Sequence, residues 1–152
     1  MEIKRLNQNE TADFKILIEI FNEVFENNVG IPGDEHLGKL LANPDFMVFV
    51  VKLNNNVVGG LTLYVLHQYY NVKPLAYIYD VGISPNFQGQ GLGKKLMEEV
   101  CAFCNKNGFE EAYVEAENDD LDAINFYKKT RFSNELLARH FTYSFTDKKN
   151  QE

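Results

Sequence analysis

The chain has no tryptophan, two cysteines and four prolines in 152 residues. Two cysteines build no disulfide framework, so the fold must rest on its core, and the expected compartment is the reducing cytoplasm. No run of 18 or more apolar residues occurs, which argues against a membrane-spanning helix. Met1-Glu2-Ile3-Lys4-Arg5 leads into no apolar segment of the kind a signal peptide needs. Positive charge is also short: 15 basic residues face 22 acidic ones, a net charge of −7. That surplus would repel nucleic-acid phosphates. It fits a cationic partner, and equally a surface charged only for solubility. No internal repeat, linker or low-complexity segment breaks the chain.

Hydrophobic residues make up 45% and aromatics 13%. That suffices for one core, expected as a single domain over 1–146 with a polar tail over 147–152. Glu2 to Leu6 reads as a strand. Asn9 or Thr11 could cap a helix whose inward positions are Phe14, Leu17, Ile18, Phe21, Val24 and Phe25. A glycine- and proline-containing stretch ends it, and a shorter helix carries Leu37, Leu40 and Leu41. Phe46 to Leu53 and Val57 to Leu66 read as strands joined by a turn at Asn54-Asn55-Asn56. Tyr77 to Ile83 is a further strand. A helix follows with Leu92, Leu96, Val100 and Phe103 on one face, closed by Asn107-Gly108. Ala112 to Ala116 is a strand, Asp119 to Lys129 a helix, and Phe141 to Phe145 a last strand. The order is β-α-α-β-β-β-α-β-α-β, a mixed α/β (α+β) domain.

The informative segment is Gln88-Gly89-Gln90-Gly91-Leu92-Gly93-Lys94-Lys95, between a strand and a helix. A helix N-terminus offers unpaired N–H groups and the positive end of its dipole, so it attracts phosphate. Glycines let the backbone approach without a Cβ in the way. Neither a dinucleotide fingerprint nor a P-loop fits, because each needs glycine where Lys94 stands. Spacing alone leaves both a phosphate cradle and a plain glycine-rich turn open.

Gln88-x-x-Gly91-x-Gly93 resembles the Gln/Arg-x-x-Gly-x-Gly/Ala signature of the GNAT superfamily of N-acetyltransferases. Ile83-Ser84-Pro85 looks like the Val-x-Pro before that loop. Asp120-x-x-Ala123-x-x-Phe126-Tyr127 looks like the family's later Asn-x-x-Ala-x-x-Leu-Tyr. Thr130-Arg131-Phe132 departs from the usual Leu-Gly-Phe, putting arginine where a glycine often ends a helix. The element order covers nearly the whole chain. It implies a mostly antiparallel central sheet flanked by helices. Within the family, Tyr77-Ile78-Tyr79-Asp80-Val81, Val114-Glu115-Ala116-Glu117 and Phe21-Asn22-Glu23-Val24-Phe25-Glu26 resemble stretches of the aminoglycoside 3-N-acetyltransferases, which are antibiotic-resistance enzymes.

The resemblance implies acetyl-CoA as cofactor, its pyrophosphate held by Gln88, Gly89, Gln90, Gly91, Leu92, Gly93 and Lys94. Backbone N–H groups near Val81, Gly82 and Ile83 would face its acyl carbonyl. Gly82 within a strand independently suggests a bulge or a close approach, tight packing being the alternative. Asp80 is a carboxylate in an apolar strand. It could accept a proton, contact a substrate without proton transfer, or sit at a solvated edge. Glu117 is the rival base. Tyr127 matches the tyrosine near the coenzyme sulfur and could protonate a leaving thiolate, or be a ring packed on a helix. Glu23, Glu26, Glu115 and Glu117, with Asp80, would meet a polycation.

Cys101 and Cys104 lie inside a helix, wrong for a redox pair or zinc, and read as core packing. No metal site is expected. His36, His67 and His140 are unassigned; His67 with Tyr69 and Tyr70 could border an acceptor pocket or lie on the surface.

The implied activity is acetyl-CoA-dependent acetylation of a small-molecule amine, with an aminoglycoside leading. A polyamine or protein amine, or a non-catalytic acyl-CoA-binding module, are the alternatives. No nucleic acid and no membrane is expected as partner, and a homodimer stays open.

Overall fold

The computed structural model describes residues 1–146; the tail expected over 147–152 lies outside them. The elements are β1 (Glu2–Arg5), α1 (Thr11–Val24), α2 (Asp34–Ala42), β2 (Phe46–Leu53), β3 (Asn56–Leu66), β4 (Leu75–Ile83), α3 (Leu92–Lys106), β5 (Glu111–Val114) and α4 (Leu121–Lys128). A 3-10 turn at Pro85–Phe87 precedes α3. The strands form one sheet in chain order: β1 to β4 are antiparallel and β5 joins β4 in parallel. The order matches the sequence reading up to α4.

The sheet is covered on both faces, which is why β2 and β3 read as nearly unbroken apolar runs. On one face α3 lays Leu92, Leu96, Met97, Val100 and Cys104 against Phe49, Val51, Leu61, Leu63 and Ile78. On the other, α1 and α2 lay Phe14, Leu17, Phe21, Leu37 and Leu41 against Phe46, Val48 and Val50. Helical periodicity in α1 and α3 and two-residue alternation in the strands meet at these two cores.

Local signals hold where they are chemical. Asn54 and Asn55 take φ of 50° and 66°, the left-handed region that a tight hairpin requires. Gly108, with φ of 82°, ends α3, and the Phe109 N–H donates to Cys104 O at 3.1 Å. Asp120 caps α4 by accepting from the Ala123 N–H at 3.1 Å. Arg131 costs nothing at the far end of α4. The Thr130 hydroxyl and N–H both donate to Tyr127 O, so no left-handed residue is needed there.

Three expectations are corrected. Phe141–Phe145 is not a strand: its aromatic alternation marks a face to be buried, but among the described residues no strand pairs with it. Cys101 is exposed while Cys104 is buried. The buried stripe of α3 runs Leu92, Leu96, Val100, Cys104, and Cys101 lies about 100° round the helix from Val100. The N-cap of α1 is Glu10 rather than Asn9 or Thr11, and its carboxylate accepts from the Asn7 N–H and pairs with Lys4. Among the described residues, no helix is long and apolar enough to cross a membrane.

Gly60 is wedged between β2 and α1: a Cβ there would lie 2.3 Å from Phe49 O and 3.0 Å from a Leu17 methyl. At Gly30 it would meet nothing within 4 Å. Gly60→Ala should therefore cost about 1–3 kcal/mol in chemical denaturation and Gly30→Ala much less; equal costs would show that the packing of β2 and α1 around Gly60 yields freely.

Candidate active site

The site begins as a fault in strand pairing. Leu61 opposes Val81 and Leu63 opposes Ile78, so β4 has two residues, Tyr79 and Asp80, where β3 has only Thr62. This is a β-bulge, and it bends the strand that carries it. The Asp80 N–H, displaced from the ladder, donates to Thr62 Oγ1 at 3.3 Å. Thr62 is the buried polar side chain of the sheet, at 7% exposure. β5 pairs with β4 only from Leu75 to Ile78, so β4 runs on from Tyr79 to Ile83 with that edge free of β5. The Ser84 N–H donates to Val58 O, toward β3. Strand alternation then turns the Val81 and Ile83 N–H groups the other way, into the opening. The bulge thus lies at Tyr79–Asp80, two residues before Gly82, and Gly82 serves packing: a Cβ there would stand 3.0 Å from the Phe21 ring of α1.

Asp80 sits half-buried at the bulge, and desolvation holds its carboxyl above the ordinary carboxylate range. On one side of it lies Tyr127 of α4, packed against the α3 core. Its phenol is pushed up to about 12, mainly by burial and further by the Asp120 and Asp80 carboxylates. On the other side is a row of tyrosines that the sequence reading did not single out. Tyr64 meets Tyr79 edge-on at 5.6 Å, Tyr79 meets Tyr77 at 5.7 Å, and Tyr77 stacks on Tyr113 at 4.8 Å. The Tyr77 hydroxyl donates to Glu115 Oε1 at 2.8 Å. Burial raises the pKa of Tyr64, with the Asp80 carboxylate adding to it. The signal was present as Tyr77 and Tyr79 two apart on one strand, with Tyr64 and Tyr113 on its neighbours.

The glycine loop meets α3 beside this opening. Gly89 and Gly91 take φ of 79° and 80°, and a Cβ at either would point into open space. Gly91 is the N-cap of α3, and no side chain caps the helix. The Lys95 N–H donates back to Gly91 O, leaving the N–H groups of Leu92, Gly93 and Lys94 as the helix's first donors. Gln88 is anchored by its amide to Ile83 O at 2.9 Å, tying the loop to the end of β4. Gly93 is needed for packing, because a Cβ would lie 3.0 Å from the Phe126 ring. These donors, open backbone and the exposed Lys94 and Lys95 fit a pyrophosphate.

The remaining carboxylates are placed less centrally. Glu115 is on the tyrosine row; Glu117 is exposed beyond the end of β5 and has no side-chain partner among the described residues. Glu23 and Glu26 are exposed at the C-terminal end of α1, which approaches β4 through Phe21 and Val24 against Gly82. His67 pairs with Asp45 at 2.8 Å on the surface, and Tyr69 is 99% exposed, so this group lines no pocket. A groove at the β1–α1 turn, lined by Arg5, Asn7, Gln8, Leu41 and Ala42, contains no base or nucleophile. Among the described residues no cluster of three metal-ligating side chains occurs.

The family model described as "Acetyltransferase (GNAT) family" matches residues 14–132. The chain belongs to the GNAT acetyltransferase family. An aminoglycoside acetyltransferase from an uncultured soil metagenomic sample, solved with trehalose, is 47% identical to this GNAT chain over 95% of its length and 96% of that chain's, with a TM-score of 0.92. The [Ribosomal protein bS18]-alanine N-acetyltransferase of Escherichia coli K12 is 28% identical over 72 residues, 47% of this chain and 48% of that protein. A mycothiol acetyltransferase of Saccharomonospora viridis is 35% identical over 60 residues, 40% of this chain and 20% of that one. The match thus spans a fifth to a half of these curated relatives.

The raised pKa of Asp80 has a consequence for GNAT stability. The folded chain holds this proton more tightly than the unfolded chain. The advantage is therefore fully present below the ordinary value near 3.8 and is lost as pH rises through the raised folded value. Asp80→Asn removes the charge that burial opposes. Relative to the parent, the variant should gain thermal stability from pH 3.5 to pH 8; a variant that loses ground over that range would mean the ionised carboxylate is well partnered.

Proposed function

We propose that the chain is an acetyl-CoA-dependent N-acetyltransferase for a small polycationic amine, with an aminoglycoside as the leading acceptor and its 3-amino group as the expected position. The feature that carries this reading is the free end of β4: Asp80 and the Val81 and Ile83 N–H groups lie beyond the last β5 pairing, Tyr127 is near enough for the Asp80 carboxylate to raise its pKa, and Gln88 ties the glycine loop to Ile83 O. A second line of support is the 47% identical soil-metagenome enzyme, described as an aminoglycoside acetyltransferase and also solved with sisomicin.

When bound, acetyl-CoA supplies the acetyl group as a thioester. The loop Gln88–Gly91 and the N–H groups of Leu92, Gly93 and Lys94 would hold its pyrophosphate. The Val81 and Ile83 N–H groups donate to the acyl oxygen as negative charge develops there. Asp80 accepts the proton of the substrate ammonium, directly or through water, so that nitrogen can attack. The Tyr127 hydroxyl would give its proton to the departing sulfur as the N–C bond forms and the C–S bond breaks, and the further proton lost by the acylated nitrogen would restore the phenol, directly or through water. A phenol pKa near 12 keeps that proton in place at neutral pH. Glu117, exposed beyond β5, lacks the desolvation that raises the pKa of Asp80 and is the less suited base.

Polycations suit the acceptor side. Asp80 and Glu115 supply charge, the tyrosine faces accept cations or sugar faces, and Glu23 and Glu26 add field at the mouth. Polyamines and protein amines would use the same chemistry, and the acceptor panel below separates them. A binding module without turnover would have no need of Tyr127 or Asp80 in these positions.

Thiol release should follow addition of acetyl-CoA with kanamycin-like or gentamicin-like compounds, faster than with spermidine or a lysine peptide. Raising salt from 0.1 M to 1 M, which shortens the screening length from about 10 Å to about 3 Å, should raise the acceptor KM. Activity confined to neutral amines, or a salt-indifferent KM, would remove the carboxylate-lined acceptor site. Tyr127→Phe should lower kcat by about 100-fold while leaving coenzyme affinity nearly intact. Parental turnover in Tyr127→Phe, with chemistry rate-limiting, would end its role as acid. Gly91→Asp places bulk and negative charge at the pyrophosphate, and calorimetry should show acetyl-CoA binding lost with the fold kept; unchanged affinity would take the loop out of the site.

A further inference from the structure

The glycine loop holds two kinds of glycine. Gly89 and Gly91 take positive φ, and a Cβ at either would meet nothing within 4 Å. Their missing side chains serve backbone shape and the free approach of a ligand. Gly93 is different. It lies in the first turn of α3 with φ outside the left-handed region, a conformation open to other residues. A Cβ there would stand 3.0 Å and 3.1 Å from two ring atoms of Phe126 and 3.6 Å from Ile83 Cγ1. The first two distances are tighter than side chains ordinarily pack, so the space beside Gly93 is already filled by the Phe126 ring.

Phe126 has no part in the chemistry described above, but its place on α4 gives it one. α4 is short and has no fully buried residue. Among the described residues, Phe126 and Tyr127 are the α4 side chains packed against the α3 core. Their rings meet edge to face with centroids 5.0 Å apart. The proposed chemistry uses the Tyr127 hydroxyl, which leaves Phe126 free to serve as the anchor. Neighbouring residues on a helix project about 100° apart. Fixing Phe126 against Gly93 therefore fixes the roll of α4, and with it the direction in which Tyr127 projects. Ile83, the third party to this contact, ends β4 and carries one of the N–H groups assigned to the acyl oxygen. The first donors of α3, the end of β4 and the helix that bears the acid all meet at Gly93.

We propose that Phe126 is the positioning residue for Tyr127, and that residue 93 is glycine to receive the Phe126 ring rather than to admit the pyrophosphate. The inference rests on the acid role proposed for Tyr127. Gly93 serves the coenzyme through its backbone N–H alone, which alanine would supply equally well. Its missing side chain serves the acid. A methyl group at 93 would push the Phe126 ring aside by a few tenths of an ångström, and Tyr127 moves with the helix that carries both. A misplacement of about 1 Å near the reacting atoms can cost on the order of 100-fold in rate. The loop glycines therefore part in function: a side chain at Gly91 acts on coenzyme binding, and a side chain at Gly93 acts on turnover.

Gly93→Ala should lower kcat roughly tenfold, a few tenths of an ångström costing less than a full one, with acetyl-CoA affinity by calorimetry within about twofold of the parent. Phe126→Leu should also lower kcat, by leaving a gap beside Gly93; it removes the anchor without overpacking, so the test does not depend on the alanine variant folding. Combining Gly93→Ala with Phe126→Leu should recover most of either loss, because the new methyl fills the space the ring gave up. In a Tyr127→Phe background Gly93→Ala should cost nothing further, since the hydroxyl it misplaces is gone. Lost acetyl-CoA affinity in Gly93→Ala, parental kcat in Phe126→Leu, no recovery in the combined variant, or the full further loss in Tyr127→Phe would each overturn the proposal. Crystal structures of the parent and of Gly93→Ala, or of Phe126→Leu, test the contact without catalysis. The Tyr127 ring should shift while the Gly91–Lys95 backbone stays in place. An unmoved Tyr127 would overturn the proposal whatever the phenol does in turnover. A shifted Tyr127 together with parental turnover in Tyr127→Phe would uphold the positioning and remove only the acid role.

Discussion

One extra residue in β4 sets the geometry on which the rest of the site depends. Opposite Thr62 the strand carries both Tyr79 and Asp80, and the Thr62 hydroxyl takes the N–H that the ladder cannot. Without that acceptor a half-buried amide would lose its partner, at a cost of up to about 1–3 kcal/mol. The bulge bends β4 just where β5 ends, after Ile78 and Val114. From that divergence follow the free edge with its outward N–H groups, the half-buried carboxylate, and the gap that Tyr127 faces from α4.

The chemistry then falls on two sides of one seam. The α3 core carries the glycine loop and, through Phe126 against Gly93, seats α4. The opposite face carries the tyrosine row and Glu115. Burial chiefly raises the pKa of Tyr64 and of Tyr127, and the Asp80 carboxylate between them adds to both. A group that acts electrostatically on both sides is well placed to take a proton on the acceptor side while a phenol gives one on the other. The same burial makes ionised Asp80 a burden on stability, which agrees with the base role proposed for it.

Much of this was legible in the sequence, for local reasons. The Asn54–Asn55 turn, the Asn107–Gly108 stop and the Gly89–Gly91 loop are positions where backbone sterics restrict the choice of residue, and the structure has positive φ at Asn54, Asn55, Gly89, Gly91 and Gly108. The buried stripe of α3 follows from spacing alone. What stayed hidden depends on pairing between distant segments. Gly82 suggested a bulge, but the bulge lies at Tyr79–Asp80, and Gly82 instead gives the Phe21 ring room to pack. The tyrosine row exists only once β3, β4 and β5 stand side by side. Phe141–Phe145 has a strand's alternation and no strand partner among the described residues: periodicity tells which face seeks burial and not what will cover it.

The central claim is that the β4 bulge presents Asp80 as the proton acceptor for the attacking amine. The most direct measurement is the pH dependence of kcat/KM for the parent and for Asp80→Asn, with one acceptor and saturating acetyl-CoA. The parent should lose activity on the acid side through an ionisation above the ordinary carboxylate range. Asp80→Asn should be slower by about 100-fold or more and should lack that ionisation, its remaining pH dependence following only the acceptor's own amine. The same acid limb in both proteins, at comparable rates, would contradict the claim and move the base elsewhere, with Glu117 the next residue to test.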